Sequence, residues 1–444
     1  WLISRQRFFG VPIPVWYPIS SDGEPQWDSP LAPDEASLPI DPSSDVPSGY
    51  TAEQRGVPGG FIGDADVMDT WATSSLTPQI AGGWLHDADL FERVFPMDVR
   101  PQGQDIIRTW LFSTVVRSHL EANALPWKHA AISGWILDPD RKKMSKSKGN
   151  VVTPMDLLVE HGSDAVRYWA ASARLGTDAA FEVGQMKIGR RLAIKVLNAS
   201  KFALAAGGAG SSIILDPSAV TEPIDRALLA ELADVVDAAT AAFEDFDHAR
   251  ALEVTESFFW TFCDDYLELV KDRAYGRGAT QTDGTSIELS PEAIASARAS
   301  LALSLDVLLR LFAPFLPFAT DEVWSWWRTG SVHAAPWPTT GELRSAAGKA
   351  PQAGLVATAG ATLSALRKVK SEAKVSQRTP LLAVELLATS EAAELIATVQ
   401  SDVRAAGKVT SPIAISAGSP VTPEGENVQL LVASFELGEV PPKA

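Results

Sequence analysis

Cysteine is nearly missing from this 444-residue sequence, which has one, and histidine is sparse, with six. A single thiol, Cys263, excludes a disulfide framework and any cysteine-built zinc site, and it agrees with a reducing compartment. His86, His119, His129, His161, His248 and His333 stand apart with no His-x-x-His pair among them. Structural roles are therefore expected for most of them, and no metal site is proposed. The sequence also lacks an opening signal segment. Its most apolar stretch, Leu301 to Phe318, is interrupted by Asp306 and Arg310, which argues against a membrane span and for a cytoplasmic protein. The start, Trp1-Leu2-Ile3-Ser4, is not a methionine start and reads as the interior of a longer protein.

Positive charge is the next deficit: 38 lysines and arginines face 55 aspartates and glutamates, for a net charge of −17. Net charge governs solubility and long-range repulsion, whereas binding depends on where cations gather. Here they gather in three places. Arg141, Lys142, Lys143, Lys146 and Lys148 crowd one short segment. Lys187, Arg190, Arg191, Lys195 and Lys201 recur at near-helical spacing, which aligns most of them on one face. Arg367, Lys368, Lys370, Lys374 and Arg378 form the third group. A single such group reads as a solvated face, but three in an acidic chain point to phosphate contacts.

Composition along the chain predicts three parts. Residues 1–185 mix short apolar runs with Gly and Pro punctuation, as strands alternating with helices do. A strand is expected over Val94–Val99, ending at Pro101-Gln102-Gly103, with a helix from Ile106 to His119 and a second strand from His129 to Leu137. Strand, helix and strand with polar loops after the strands is the pattern of a doubly wound α/β sheet, whose ligands sit at the carboxyl ends of the strands. Residues 19–66 read as an irregular insertion without chemistry. Residues 186–340 carry long helical periodicities, among them Leu229, Leu232, Val236, Ala239, Phe243 and Phe246, then Leu252, Phe259, Phe262, Tyr266 and Leu269, and an apolar helix over Pro291–Phe312. Gly207 to Pro223 reads as a loop and Gly330 to Ala350 as a linker. Residues 350–444 predict a small α/β module, with a helix near Leu363–Lys374 and strands at Leu381–Leu387 and Gln429–Ser434.

The most specific motif is Lys143-Met144-Ser145-Lys146-Ser147, followed by Lys148-Gly149-Asn150. Lysine ammonium groups act as mobile point charges on phosphate oxygens, and serines with a glycine permit close backbone approach and further hydrogen bonds. A bare Lys-Ser-Lys string is common on surface turns; the whole pentapeptide after a strand and before a helix is not. It closely resembles the second signature of the class I aminoacyl-tRNA synthetases. The resemblance implies a Rossmann-type catalytic domain, of which residues 1–185 would be the second half, followed by a helical anticodon-binding bundle. It also implies ATP as a substrate with Mg²⁺, while the single cysteine argues against zinc. Lys143 and Lys146 would be catalytic, stabilising the pyrophosphate-leaving transition state. Met144, Ser145 and Ser147 would contact ATP. Gly103-Gln104-Asp105 resembles the family's Gly-x-Asp element, which places Gly103 and Asp105 at the ATP ribose. Ser133-Gly134-Trp135-Ile136-Leu137 resembles the adenine-contacting stretch and adds Gly134 and Trp135.

Within that family, Asp66-Val67-Met68-Asp69-Thr70-Trp71-Ala72-Thr73-Ser74-Ser75 resembles the valyl pattern Asp-Val-Leu-Asp-Thr-Trp-Phe-Ser-Ser. Gln104-Asp105-Ile106-Ile107 is valyl-like too, as are the opening Trp1–Tyr17 and the segment Ser331–Pro338. The resemblance covers residues 1 to about 340 and makes Trp71 and Ile106 the expected walls of a valine pocket; an ordinary core role is the alternative for Trp71. An apolar pocket rejects isosteric threonine only about a hundredfold, a figure that belongs to the valyl enzyme itself, so such enzymes need a hydrolytic editing site. Neither that domain nor the family's first signature, His-Ile-Gly-His, is in this sequence, and the chain alone is expected to be inactive. The implied partners are tRNA-Val, ATP and L-valine, with no membrane and a monomeric state. Lys187, Arg190, Arg191 and Lys195 are the candidate tRNA contacts. The alternatives are an isoleucyl or leucyl synthetase, or a non-catalytic tRNA-binding paralogue.

Overall fold

The computed structural model describes residues 2–144, 149–206, 213, 215–423 and 425–439. The chain divides into two compact units, one of residues up to Trp135 with Leu175–Asp178, the other of Ile136–Arg174 with the chain from Ala179 onward.

The first unit carries a parallel pair of strands, Met97–Gly103 and Trp127–Ser133, in a register that sets Met97 beside Trp127 and Gly103 beside Ser133. Between them run a single 3₁₀ turn (Gln104–Ile106), a π-turn (Ile107–Leu111) and the helix Phe112–Ala122. Asn123, in the left-handed region at φ 48°, ends that helix, a conformation asparagine tolerates better than most residues. Two boundaries differ from the sequence expectation. Val94 closes a helix, Ala88–Val94, because the Asp87 carboxylate accepts the Leu90 N–H and starts a helix there. The strand expected over His129–Leu137 breaks at Gly134-Trp135, with a separate strand at Ile136–Leu137. The reason is a crossing segment: a Cβ on Gly134 would stand 2.1 Å from the Thr177 carbonyl oxygen. The insertion over 19–66 has little regular structure, yet it buries Trp16 and Phe61. Trp16 Nε1 donates to the Asp45 carbonyl at 3.0 Å, and the Arg55 guanidinium lies 4.9 Å from the Phe61 ring.

The second unit is mostly helical. Pro223–Glu244, His248–Thr261, Leu267–Ala274 and Pro291–Phe312 follow the apolar periodicities, and the last matches the expected bounds. Their starts have local causes: proline stands in the first turn of Pro223–Glu244 and Pro291–Phe312, and the side chains of Ser290 and Asp247 accept N–H groups of the turns they open. The stretch read as a linker is not one. It forms the helix Gly341–Ala347, whose Leu343, Ala346 and Ala347 are buried and whose Arg344 bonds to Asp234 and Asp237. The tail folds as helix Leu355–Glu372, strand Leu381–Ala388, helix Ser390–Gly407 and strands Ala414–Ala417 and Leu430–Leu437. Leu381–Ala388 is central, parallel to one neighbour and antiparallel to the other. One hydrophobic cluster runs from the helices into this tail. A buried ionic knot joins them as well: Arg273 bonds to both oxygens of Asp225 and of Asp402, and Asp225 accepts from Tyr266 and Ser296.

Glu231 is expected to give this unit a pH dependence. Burial first, and Asp234 second, push its carboxyl up to about 7. A group with a raised folded pKa contributes stability that is full below its unfolded value of 4.5 and lost as pH climbs through about 7. Glu231→Gln does not titrate, so its melting temperature should match wild type near pH 5 and exceed it by about 2–4 °C at pH 8. Equal differences at both pH values, read by thermal denaturation, would count against this.

Candidate active site

Parallel strands present their carboxyl ends at one edge, where the loops that follow them converge. In the first unit the register pairs Gly103 with Ser133, so Gly103, Asp105, Gly134 and Trp135 come to the same edge. Asp105 is exposed in the 3₁₀ turn. The Trp135 N–H is held by the Asp178 carboxylate at 2.8 Å. Gly134 is required by the backbone of Thr177 and Asp178, whatever else it contacts.

Asp69 organises the Asp66–Ser75 segment. Its carboxylate is buried, accepts the Trp71 N–H at 2.9 Å and pairs with the Arg5 guanidinium at 2.9 Å. Ser4–Arg5 pairs antiparallel with Val67–Met68, which sets the entry to the helix Thr70–Ser74. Trp110 of the π-turn donates to the Ser74 carbonyl at 3.0 Å. Trp71 and Ile106 are both half-buried. Neither lines the cavity of about 330 Å³ on this unit, whose walls include Ile3, Ala72, Ser75, Phe112, Val116 and Leu120.

In the second unit the lysine loop leaves the strand Ile136–Leu137 through a tight hairpin. Leu137 bridges Lys143, the Asp138 N–H donates to the Lys142 carbonyl, and Arg141 turns the chain at φ 61°. Lys143 is exposed. Met144 packs against the buried cluster of Ala165, Phe181 and Met186, so it serves the loop as an apolar anchor. Ser145, Lys146 and Ser147 lie outside the described residues. Two polar residues with no expected role, Asp138 and Asn150, hold the base of the loop. The Asp138 carboxylate accepts the Lys142 N–H at 2.7 Å and the Asn150 amide at 2.8 Å. Those hydrogen bonds, the backbone one first, hold the carboxyl below its usual range. The turn-forming Asp138-Pro139-Asp140 after a strand was the available signal.

The helix Val183–Ala205 buries Met186, Gly189, Leu192, Val196 and Ala199. Lys187, Arg190 and Arg191 stand exposed on its other side, with Arg190 also donating to the Glu160 carbonyl. Lys195 differs from them. It bonds to Asp264 at 2.9 Å and lies 5.6 Å from the Trp260 ring. Burial disfavours its charge, yet the Asp264 bond together with the electrostatic pull of Cys263, Asp264 and Glu268 outweighs it and raises its pKa. In the tail group Lys370 is buried, its Nζ 2.8 Å from the Gly407 carbonyl, and burial pushes it down to about 8. Arg367 bonds to Glu268, which leaves Lys368, Lys374 and Arg378 as the exposed cations of that group.

Residues 1–182 match the family described as tRNA synthetases class I (I, L, M and V), and residues 225–386 match the anticodon-binding domain of tRNA ligase. The chain thus carries a catalytic domain of the class I tRNA synthetases and an anticodon-binding domain of tRNA ligases. Within that class it is similar to valine–tRNA ligases. It is 64% identical to that of Thermobifida fusca (strain YX) over 93% of this chain and 45% of the relative. It is 58% identical to that of Salinispora tropica over 96% and 49%, and 54% identical to that of Bifidobacterium longum subsp. infantis over 100% and 50%. The chain thus spans about half the length of the curated relatives it matches. A solved Agrobacterium radiobacter K84 LeuRS, in a ternary complex with tRNA and LeuAMS, shares the fold with a TM-score of 0.58 at 23% identity, over 77% of this chain and 42% of that one. Among the described residues no helix is long and apolar enough to cross a membrane.

Proposed function

We propose that this chain is part of a valine–tRNA ligase, which activates L-valine with ATP and Mg²⁺ and transfers it to tRNA-Val. The observation that carries this reading is similarity along the whole chain to valine–tRNA ligases, at 54–64% identity, together with the valyl-like Asp66–Ser75 segment. In this reading residues 1–185 supply the second half of a Rossmann-type catalytic domain, 186–340 an anticodon-binding helical bundle, and 350–444 a small α/β module, in a cytoplasmic monomer. Gly103, Asp105, Gly134 and Trp135 cradle the ribose and adenine. Trp71 and Ile106 wall the valine pocket. Lys143 and Lys146 bring positive charge to the leaving pyrophosphate, with Met144, Ser145 and Ser147 shaping the loop around the nucleotide.

The decisive experiment is amino-acid-dependent ATP–pyrophosphate exchange by the full-length protein. Valine should support exchange and isoleucine and leucine should support far less; a preference for isoleucine would sink the valyl reading.

For tRNA, the exposed trio Lys187, Arg190 and Arg191 is the proposed backbone contact, with Lys195 contributing least because Asp264 already holds it. Each phosphate contact releases condensed counterions, so removing one flattens the dependence of log affinity on log salt by about one unit. Lys187→Ala and Arg191→Ala should each show that flattening in filter binding with tRNA-Val at several salt concentrations. Slopes that match wild type would remove the trio from the interface.

A further inference from the structure

Lys143 is held at three points. Its backbone bridges Leu137 across the hairpin. Its carbonyl accepts the Asn150 amide at 3.3 Å. The next residue, Met144, is seated against Ala165, Phe181 and Met186. Asp138 ties this arrangement together. It is buried to 7% exposure, binds the Lys142 N–H with one oxygen and the Asn150 amide with the other, and so joins the two ends of the lysine segment through one carboxylate. A backbone clamped on both sides fixes the point from which the Lys143 side chain leaves the loop, and that side chain is exposed. Catalysis by a point charge depends on where the charge stands when the transition state forms, and a misplacement of about 1 Å can cost about a hundredfold.

We propose that Asp138 and Asn150 are a positioning pair for Lys143, which they serve by locking the backbone on either side of it rather than by touching substrate. The inference rests on the activity proposed above.

The test is valine-dependent ATP–pyrophosphate exchange by the full-length protein, with Asp138→Asn and Asn150→Ala each made alone and together with Lys143→Ala. Each single change should lower kcat by about tenfold to a hundredfold, with KM for valine within about twofold and a melting temperature near wild type. In the Lys143→Ala background neither should lower kcat further, because the group they position is gone. A purely structural role would give the same fold-loss in both backgrounds, and that result would overturn the proposal. So would undiminished exchange by both single variants of an active protein. A wild-type protein without valine-dependent exchange would instead overturn the functional reading, and this inference with it.

Discussion

Lys143→Ala is expected to cut the kcat of valine-dependent ATP–pyrophosphate exchange by about a hundredfold to a thousandfold in the full-length protein. The ground is electrostatic. The leaving pyrophosphate gathers negative charge during the reaction, and an ammonium already in place stabilises that charge without further reorganisation. The Lys143 backbone is fixed by the Leu137 bridge and by the Asn150 bond, so in this reading little backbone entropy remains to be lost when its side chain engages. Lys143→Arg should recover only part of the rate, since a planar guanidinium on the same backbone puts its charge at a different distance. Steady-state kinetics separate the two possible outcomes. A fall in kcat with little change in the valine KM is the expected result. Exchange by Lys143→Ala within about threefold of wild type would remove this lysine from the catalytic set.

Arg273→Met should produce the largest loss of stability, about 3–5 kcal/mol. The guanidinium donates to both oxygens of Asp225 and of Asp402 and to the Ala293 carbonyl. Its side chain is 5% exposed and those of the two carboxylates 0% and 10%. Removing it leaves two buried carboxylates without their cation, the configuration that costs most. The loss should also depend on pH. Burial already raises the Asp402 carboxyl even with Arg273 pulling it down, and without the guanidinium it rises further. A carboxyl with a raised folded pKa contributes stability at acid pH that fades as pH rises through that value. The deficit of Arg273→Met against wild type should therefore widen from pH 5 to pH 8. Chemical denaturation at the two pH values measures it, and a deficit below about 1 kcal/mol at pH 8 would show that the knot contributes little. Asp402 belongs to the tail helix Ser390–Gly407, so limited proteolysis should cut the tail of the variant sooner than that of wild type.

Much of the helical architecture was legible because it is periodic. Pro291–Phe312 could be read to the residue, since serine, proline and an unbroken apolar face all act within that segment. The lysine loop and the Asp66–Ser75 segment were legible as motifs, as was the strand-end position of Gly103 and Asp105. Less could be read where one residue's role depends on a distant one. Gly134 looks in sequence like a ligand-facing glycine, yet the backbone at Thr177 alone would demand it. Lys195 shares a helix face with Lys187 and Arg191, but a helical pattern cannot show that Asp264 lies within reach. The segment around Leu343 has the loop-like composition of a linker and still packs, because Leu343, Ala346 and Ala347 find a buried place in the folded chain.

The amino-acid sequence by itself carried the resemblance to the class I synthetases: a lysine-rich loop after a strand, the valyl-like segment upstream of it, and the change from mixed α/β texture to long helices. Those features depend on neighbours within one turn, strand or loop, so local order carries them. Only the tertiary structure decided how the loop is held and what joins the helices to the tail. Asp138 with Asn150, and Arg273 with Asp225 and Asp402, are single polar residues paired across sequence separations of 12, 48 and 129. Such pairs leave no periodic trace; burial makes them strong, and burial exists only once the chain has folded.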